Sequence, residues 1–172
     1  NRSRFYTNIC CFIFSLFKFL VGDMISSELL ACAISHNINQ ALNEDIGTGD
    51  ITACLIPEHE QARAVVITRE DMVLAGQPWV NALFQQLDPA VKLNWLHAEG
   101  TQLKANEAFL KLEGNARSLL TGERPALNFI QTLSAVATKV AEYVVLLDGL
   151  HTKLLDTRKT LPGLRIAQKY AV

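Results

Sequence analysis

Several features that usually announce a function are missing from this sequence. It contains no G-x-G-x-x-G, no G-x-x-x-x-G-K-[ST] and no G-x-S-x-G, which excludes the dinucleotide fingerprint, the P-loop and the serine-hydrolase elbow. Its four cysteines (Cys10, Cys11, Cys32, Cys54) make no C-x-x-C pair and have no histidine at zinc-site distance. They read as reduced thiols of a cytoplasmic protein, with Cys32 and Cys54 expected as small buried hydrophobes. The net charge of −1 leaves no broad basic excess, so nucleic acid is not an expected partner. Asp45 and Asp50 stand in a loop with two glycines but lack the D-x-[DN]-x-[DN]-G spacing of a calcium loop. His36, His59 and His97 lie apart with no partner spacing, as structural or solvated residues do.

What is present describes a globular chain. Of 172 residues, 49% are hydrophobic and 19% charged, enough for one domain, or a small one plus part of another. Residues 1–23 differ from the rest. Ile9–Val21 is mostly apolar but interrupted by Ser15 and Lys18, and falls short of the roughly 20 residues a bilayer span needs. Arg2 and Arg4 ahead of it give the outline of a signal peptide, yet Leu20-Val21-Gly22 is a poor cleavage site. A non-native leader with Met24 as the real start fits better, and membrane association is not expected.

From Ser26 or Ser27, the latter a plausible N-cap, Leu29, Leu30, Ala33, Ile34, Ile38, Ala41 and Leu42 recur at the spacing of one helical face. Residues 62–68 and 72–75 read as strands joined by Arg69-Glu70-Asp71, and 78–87 as a short helix with Trp79, Leu83 and Leu87 inward. The alternation Val91, Leu93, Trp95, His97 and the run 109–114 add two more strands. The sum is an α+β layer, an antiparallel sheet with helices on one side. A strong apolar stripe, Leu127 to Leu147, predicts a helix that starts at Pro125, where a missing N–H costs nothing, and stops at Asp148-Gly149. That start would set Arg124 beside free N–H groups, a possible anion site.

The most informative stretch is Leu154-Leu155-Asp156-Thr157-Arg158-Lys159-Thr160-Leu161-Pro162-Gly163-Leu164-Arg165. An apolar pair reads as a buried strand, runs into Thr-Arg-Lys, turns at Pro-Gly and enters a helix at Leu164. Strand, charged loop, helix is the layout in which α/β enzymes place chemistry at a strand's carboxyl end. Between His151 and Tyr170, five cations (Lys153, Arg158, Lys159, Arg165, Lys169) face one acid, Asp156. Arg supplies a planar fork for carboxylate or phosphate and Lys a compact charge. Anion binding and a solvated loop both remain open on these grounds.

Residues 119–134 (LLTGERPALNFIQTLS), 155–165 (LDTRKTLPGLR) and 168–172 (QKYAV) together closely resemble the quinolinate phosphoribosyltransferase family. The similarity runs from Met24 to Val172 and includes Glu44-Asp45, Gly49-Asp50-Ile51-Thr52 and Ile67-Thr68-Arg69-Glu70; molybdenum-transport-associated relatives share the fold. The resemblance implies an N-terminal open-faced α/β sandwich followed by the first strand-helix unit of an incomplete α/β barrel. The boundaries it suggests are 1–23 leader, 24–122 sandwich and 123–172 start of the barrel. It implies transfer of phosphoribose from phosphoribosyl pyrophosphate to quinolinate with decarboxylation, giving nicotinate mononucleotide for NAD synthesis with magnesium, in a homodimer. Arg124 matches the arginine lent across the dimer to a quinolinate carboxylate, and Thr157, Arg158 and Lys159 match the substrate-binding loop. The family continues beyond the point matching Val172 with groups for ribose and magnesium. This chain by itself is therefore expected to turn over little, or to pair with intact subunits as a non-catalytic remnant, and to be poorly soluble through its open barrel edge.

Overall fold

The computed structural model describes residues 25–47, 49 and 53–172. The leader expectation for 1–23, Cys10, Cys11, and Asp50-Ile51-Thr52 lie outside the described residues.

Helix α1, Ser27–Ile46, is capped by Ser26, not Ser27: the Ser26 side chain accepts the Leu29 amide at 3.2 Å. Its inward stripe is narrower than expected, because Leu29 is exposed and full burial is reached only at Asn37, Ile38 and Leu42. After a single 3-10 turn, Ala53–Leu55, the chain forms β1 (Gln61–Ile67) and β2 (Met72–Val73). It continues through α2 (Gln77–Leu87), β3 (Lys92–Trp95), β4 (Gln102–Leu103) and β5 (Ala108–Asn115). Then come the 31-residue helix α3, Ala116–Leu146, and a short α4, Arg165–Ala171.

The two strands flanking Arg69-Glu70-Asp71 do not pair with each other. β1 pairs antiparallel with β5, which also pairs with β3, giving the order β1-β5-β3, while β2 pairs with β4 in a separate ribbon. On β5 the buried Leu110 and Leu112 alternate with the exposed Lys111 and Glu113, the period of a sheet covered on one face. The open face carries the Arg63–Glu113 pair. The covered face meets α3 and α2 around Trp79, Leu83, Phe84, Phe109, Ile130 and Leu133. This is the expected open-faced sandwich. Leu87 is only half-buried, and Val80 and Phe84 take the inward places beside Trp79 and Leu83.

Three further expectations are corrected. The long helix starts nine residues before Pro125, which sits inside it. Asn115 provides the cap, its side chain accepting from the Arg117 amide at 2.9 Å and the Ser118 amide at 3.4 Å. A proline inside a helix costs one backbone hydrogen bond, and the buried ring of Pro125 and its buried neighbours Ala126, Phe129 and Ile130 pack in compensation. Cys32 and Cys54 are both exposed, Cys32 because it lies off the narrow buried stripe of α1. Finally, Leu154 and Leu155 form no strand and are 42% and 50% exposed. A strand needs a partner ladder for its N–H and C=O groups, and no described strand lies beside them. Gly149 does take the left-handed conformation expected after α3, with φ +75°.

Among the described residues, α3 is the one helix long and apolar enough to cross a membrane by length and composition. Here it serves as the central core helix, packed on β1, β2, β5, α1, α2 and α4.

Candidate anion-binding site

The charged loop runs from 156 to 163 and leads into α4. Its geometry is set by local hydrogen bonds. Asp156 accepts the Thr157 amide at 2.6 Å and forms an ion pair with Lys169 one helix later. The Thr157 hydroxyl accepts the Lys159 amide at 3.1 Å, a tight side-chain turn that projects Arg158 from its apex. Gln168 Oε1 accepts the Leu161 amide at 2.5 Å, and Gly163, with φ +80°, turns the chain into α4.

Asp156 is spent on Lys169, so its charge does not offset the rest of the loop. Lys153, Arg158, Lys159 and Arg165 are all exposed, and among the described residues none forms an ion pair with a carboxylate. Four uncompensated cations on one short stretch create a local positive field that the near-neutral whole does not cancel. Chemically the loop offers a guanidinium fork, an adjacent ammonium and a hydroxyl.

Arg124 belongs to a different element. It projects from the middle of α3, not from a helix N-terminus, so the dipole argument for a site there does not apply. Its Nη1 donates to Asp45 Oδ1 at 2.7 Å, with the arginine side chain 73% exposed. A cavity of about 290 Å³ opens between α1, α3 and the Pro162-Gly163-Leu164 turn, lined by Asn37, Glu44, Asp45, Pro125, Asn128 and Thr132 among others. Arg124, Thr157, Arg158 and Lys159 are not among its lining residues, although it separates the two segments that bear them. Thr157, Arg158 and Lys159 thus share one turn, while Arg124 stands on α3 and pairs with Asp45 of α1.

Sequence reasoning missed the groups that anchor the loop. Asn37 is buried on α1; its Nδ2 donates to the Gly163 carbonyl at 3.1 Å and its Oδ1 accepts the Trp79 indole N–H at 3.2 Å. The signal was a polar residue on the apolar stripe, one turn from both Ile34 and Ala41. Glu99 is the other. Its carboxylate accepts the Gly76 amide at 2.6 Å, the Gln77 amide at 3.1 Å and the Tyr170 hydroxyl at 2.9 Å, joining the start of α2 to α4. Burial, with the Glu99 charge beside it, pushes the Tyr170 hydroxyl well above the ordinary tyrosine range. Nothing in the sequence spacing of 99 and 170 announces that contact. His97, half-buried, pairs with Glu107 at 3.2 Å, while His36 and His59 are exposed; none of them belongs to the loop.

Comparison with known proteins places this geometry. The family model for the quinolinate phosphoribosyl transferase N-terminal domain matches residues 50–134, and that for the C-terminal domain matches 136–172. The first match ends and the second begins inside α3, one helix serving both parts. A probable carboxylating nicotinate-nucleotide pyrophosphorylase of Synechocystis is 40% identical over 134 residues, 78% of this chain and 45% of that protein. Its Bacillus subtilis counterpart is 40% identical over 135 residues, 78% of this chain and 47% of that protein. The solved nicotinate-nucleotide pyrophosphorylase of Francisella tularensis is 45% identical with a TM-score of 0.81, over 87% of this chain and 53% of that one. The chain thus spans about half the length of the relatives it matches.

Proposed function

Because the chain belongs to the quinolinate phosphoribosyltransferase family, we propose that it supplies the quinolinate-holding part of an enzyme that makes nicotinate mononucleotide from quinolinate and phosphoribosyl pyrophosphate. The observation that carries this reading is the Thr157–Lys159 turn, where an arginine and a lysine stand side by side, exposed and uncompensated, because the local acid is committed to Lys169.

Quinolinate carries two adjacent carboxylates. Arg158 takes one through its planar fork, Lys159 takes the other as a point charge, and the Thr157 hydroxyl supplies a neutral contact. Fixed cations hold the pyridine nitrogen oriented toward the ribose carbon it attacks, converting an encounter into a positioned reaction. They also pair the negative charge of the two carboxylates through charge-assisted hydrogen bonds. Arg124, on α3 and paired with Asp45, is read as the residue that a second copy lends to a substrate carboxylate. The reading therefore includes a homodimer in which Asp45 gives up the Arg124 guanidinium to the substrate carboxylate. Magnesium enters with the pyrophosphate substrate. Among the described residues no group of three or more His, Cys, Asp or Glu gathers. The cytoplasm is the compartment this soluble chemistry suits.

The test is a calorimetric titration of the chain with quinolinate and, separately, with nicotinate, which has one carboxylate fewer. Saturable quinolinate heat that exceeds the nicotinate signal and disappears in Arg158→Ala supports the reading. Absence of quinolinate heat, alone and after mixing with a full-length relative, rejects it. Light scattering of the same sample checks the dimer.

A further inference from the structure

The loop bearing Arg158 and Lys159 has no strand before it among the described residues, yet it is tied at both ends. At its start, Asp156 is paired with Lys169 from α4 and accepts the Thr157 amide. Near its end, the Leu161 amide donates to Gln168 Oε1 at 2.5 Å. At its close, the Gly163 carbonyl accepts from Asn37, which is 4% exposed and whose other amide atom is occupied by the Trp79 indole. Helix α4 is itself fixed to the sandwich by Tyr170, through its bond to Glu99 and an edge contact with Trp79 at 5.1 Å between ring centroids.

We infer that Asn37, Gln168 and Lys169 are positioning residues that hold the Thr157–Lys159 loop in its ligand-ready conformation before any ligand arrives; this rests on the proposed function for what the loop binds. The physical argument is one of entropy and satisfaction. An eight-residue loop left to itself loses backbone freedom on binding, and that loss subtracts from affinity. Here the loss is taken at folding. The clamp on Gly163 comes from a buried amide with both its polar atoms committed, so slippage of the turn leaves Asn37 unsatisfied in the core. The clamp on Asp156 also sets the charge balance, because the same contact that fixes the loop removes its acid from competition with the substrate. One side chain on α1 and two on α4 thus determine where the cations of the loop stand.

Trypsin reads the clamp directly, because it cuts after Arg158 and Lys159. In Asn37→Ala and in Lys169→Met, cleavage at 158–159 is expected to rise about fivefold, the effect of one hydrogen bond on a local opening equilibrium. Other Lys and Arg sites keep their rates, and Lys169→Arg restores protection. Quinolinate affinity, read by calorimetry, falls by a similar factor in the first two variants and returns in the third. Unchanged cleavage at 158–159 overturns the inference, as does a rise shared equally by every site, which marks plain loss of stability. Should Asn37→Ala not fold, Lys169→Met and Gln168→Leu carry the test. Failure of the unaltered chain to bind quinolinate would count against the proposed function, while the cleavage pattern would still decide the clamp.

Discussion

Ser134 exchanges two hydrogen bonds with Ala75: the Ala75 amide donates to Ser134 Oγ at 3.0 Å, and the hydroxyl donates to the Ala75 carbonyl at 3.2 Å. One helical turn on, Thr138 Oγ1 accepts the Val73 amide at 2.8 Å and donates to the Ser134 carbonyl at 2.6 Å. β2 pairs with only the two residues of β4, so its other edge would present unpaired N–H groups to the core. Two hydroxyls of α3 stand where a neighbouring strand would. This lets a central helix lie against the sheet edge and ties both family-matched segments together.

Replacing Ser134 by Ala strands the buried Ala75 amide and is expected to cost about 1–3 kcal/mol, the price of an unsatisfied buried donor. Thr138→Val, at a half-buried position, costs about 1 kcal/mol. Urea unfolding followed by circular dichroism measures both. Equal midpoints for Ser134→Ala and the unaltered chain would contradict the pairing.

Gly122 marks where α3 presses on α2. A Cβ placed there would lie 2.5 Å from Phe84 Cε1 and 2.7 Å from Cζ, and Phe84 is 1% exposed with nowhere to swing. Gly122→Ala therefore destabilises by roughly 1–3 kcal/mol through overpacking, despite alanine's better helix propensity. Gly149→Ala meets open space and suffers only its left-handed φ of +75°, about 1 kcal/mol. Thermal unfolding should rank the two in that order.

The sequence made the sandwich legible because its signals are local and repeated. The alternation on β5 and the apolar stripe of α3 each follow from a period a reader can count. The start of α3 was lost because Pro125 is a strong local signal and Asn115 a quiet one. Asn caps are common, but this one follows directly on a strand with no loop to announce it. Leu154-Leu155 misled for a different reason: two leucines specify burial, while a strand also requires a partner, which two residues cannot disclose. Within the site, Arg158 and Lys159 were visible as charge. The residues that hold them were not, since Asn37 and Gly163 are 126 positions apart and only tertiary packing brings them together.

Arg124 separates stability from binding. Its ion pair with Asp45 is solvent-exposed on the arginine side, where such pairs contribute about 0–1 kcal/mol. Arg124→Ala is expected to leave the unfolding midpoint nearly unchanged while weakening quinolinate binding by the dimer. Binding that survives in Arg124→Ala at dimer-forming concentrations would remove this residue from the site.

Tyr170 gives a pH dependence of known sign. Its hydroxyl is pushed up by burial first and by Glu99 second, so the folded state resists ionisation that the unfolded chain accepts near pH 10. The stability this provides is fully present below that pH and is lost as pH rises toward the higher folded value. Unfolding midpoints should therefore fall above about pH 10, and Tyr170→Phe should flatten that decline while lowering stability at pH 7 through the lost bond to Glu99. An identical alkaline slope in the variant would place the effect elsewhere.

Arg158 and Lys159 are both exposed, so their removal should move stability by no more than about 0.5 kcal/mol. Their weight falls on binding. A hydrogen bond to a charged group is worth roughly 1.5–3 kcal/mol, which sets the loss expected for quinolinate in either alanine variant. Charge alone cannot replace geometry at Arg158, because lysine lacks the planar fork that meets both oxygens of a carboxylate. Arg158→Lys should thus recover only part of the affinity lost in Arg158→Ala, whereas Lys159→Arg, which keeps a cation with more donors, should recover most of its own loss. Salt distinguishes this site from a diffuse basic surface. A bound dicarboxylate seated on two cations should still saturate at 0.15 M salt, where charges beyond about 8 Å are largely screened. Quinolinate binding that vanishes in that buffer would mean that the loop attracts anions without recognising one.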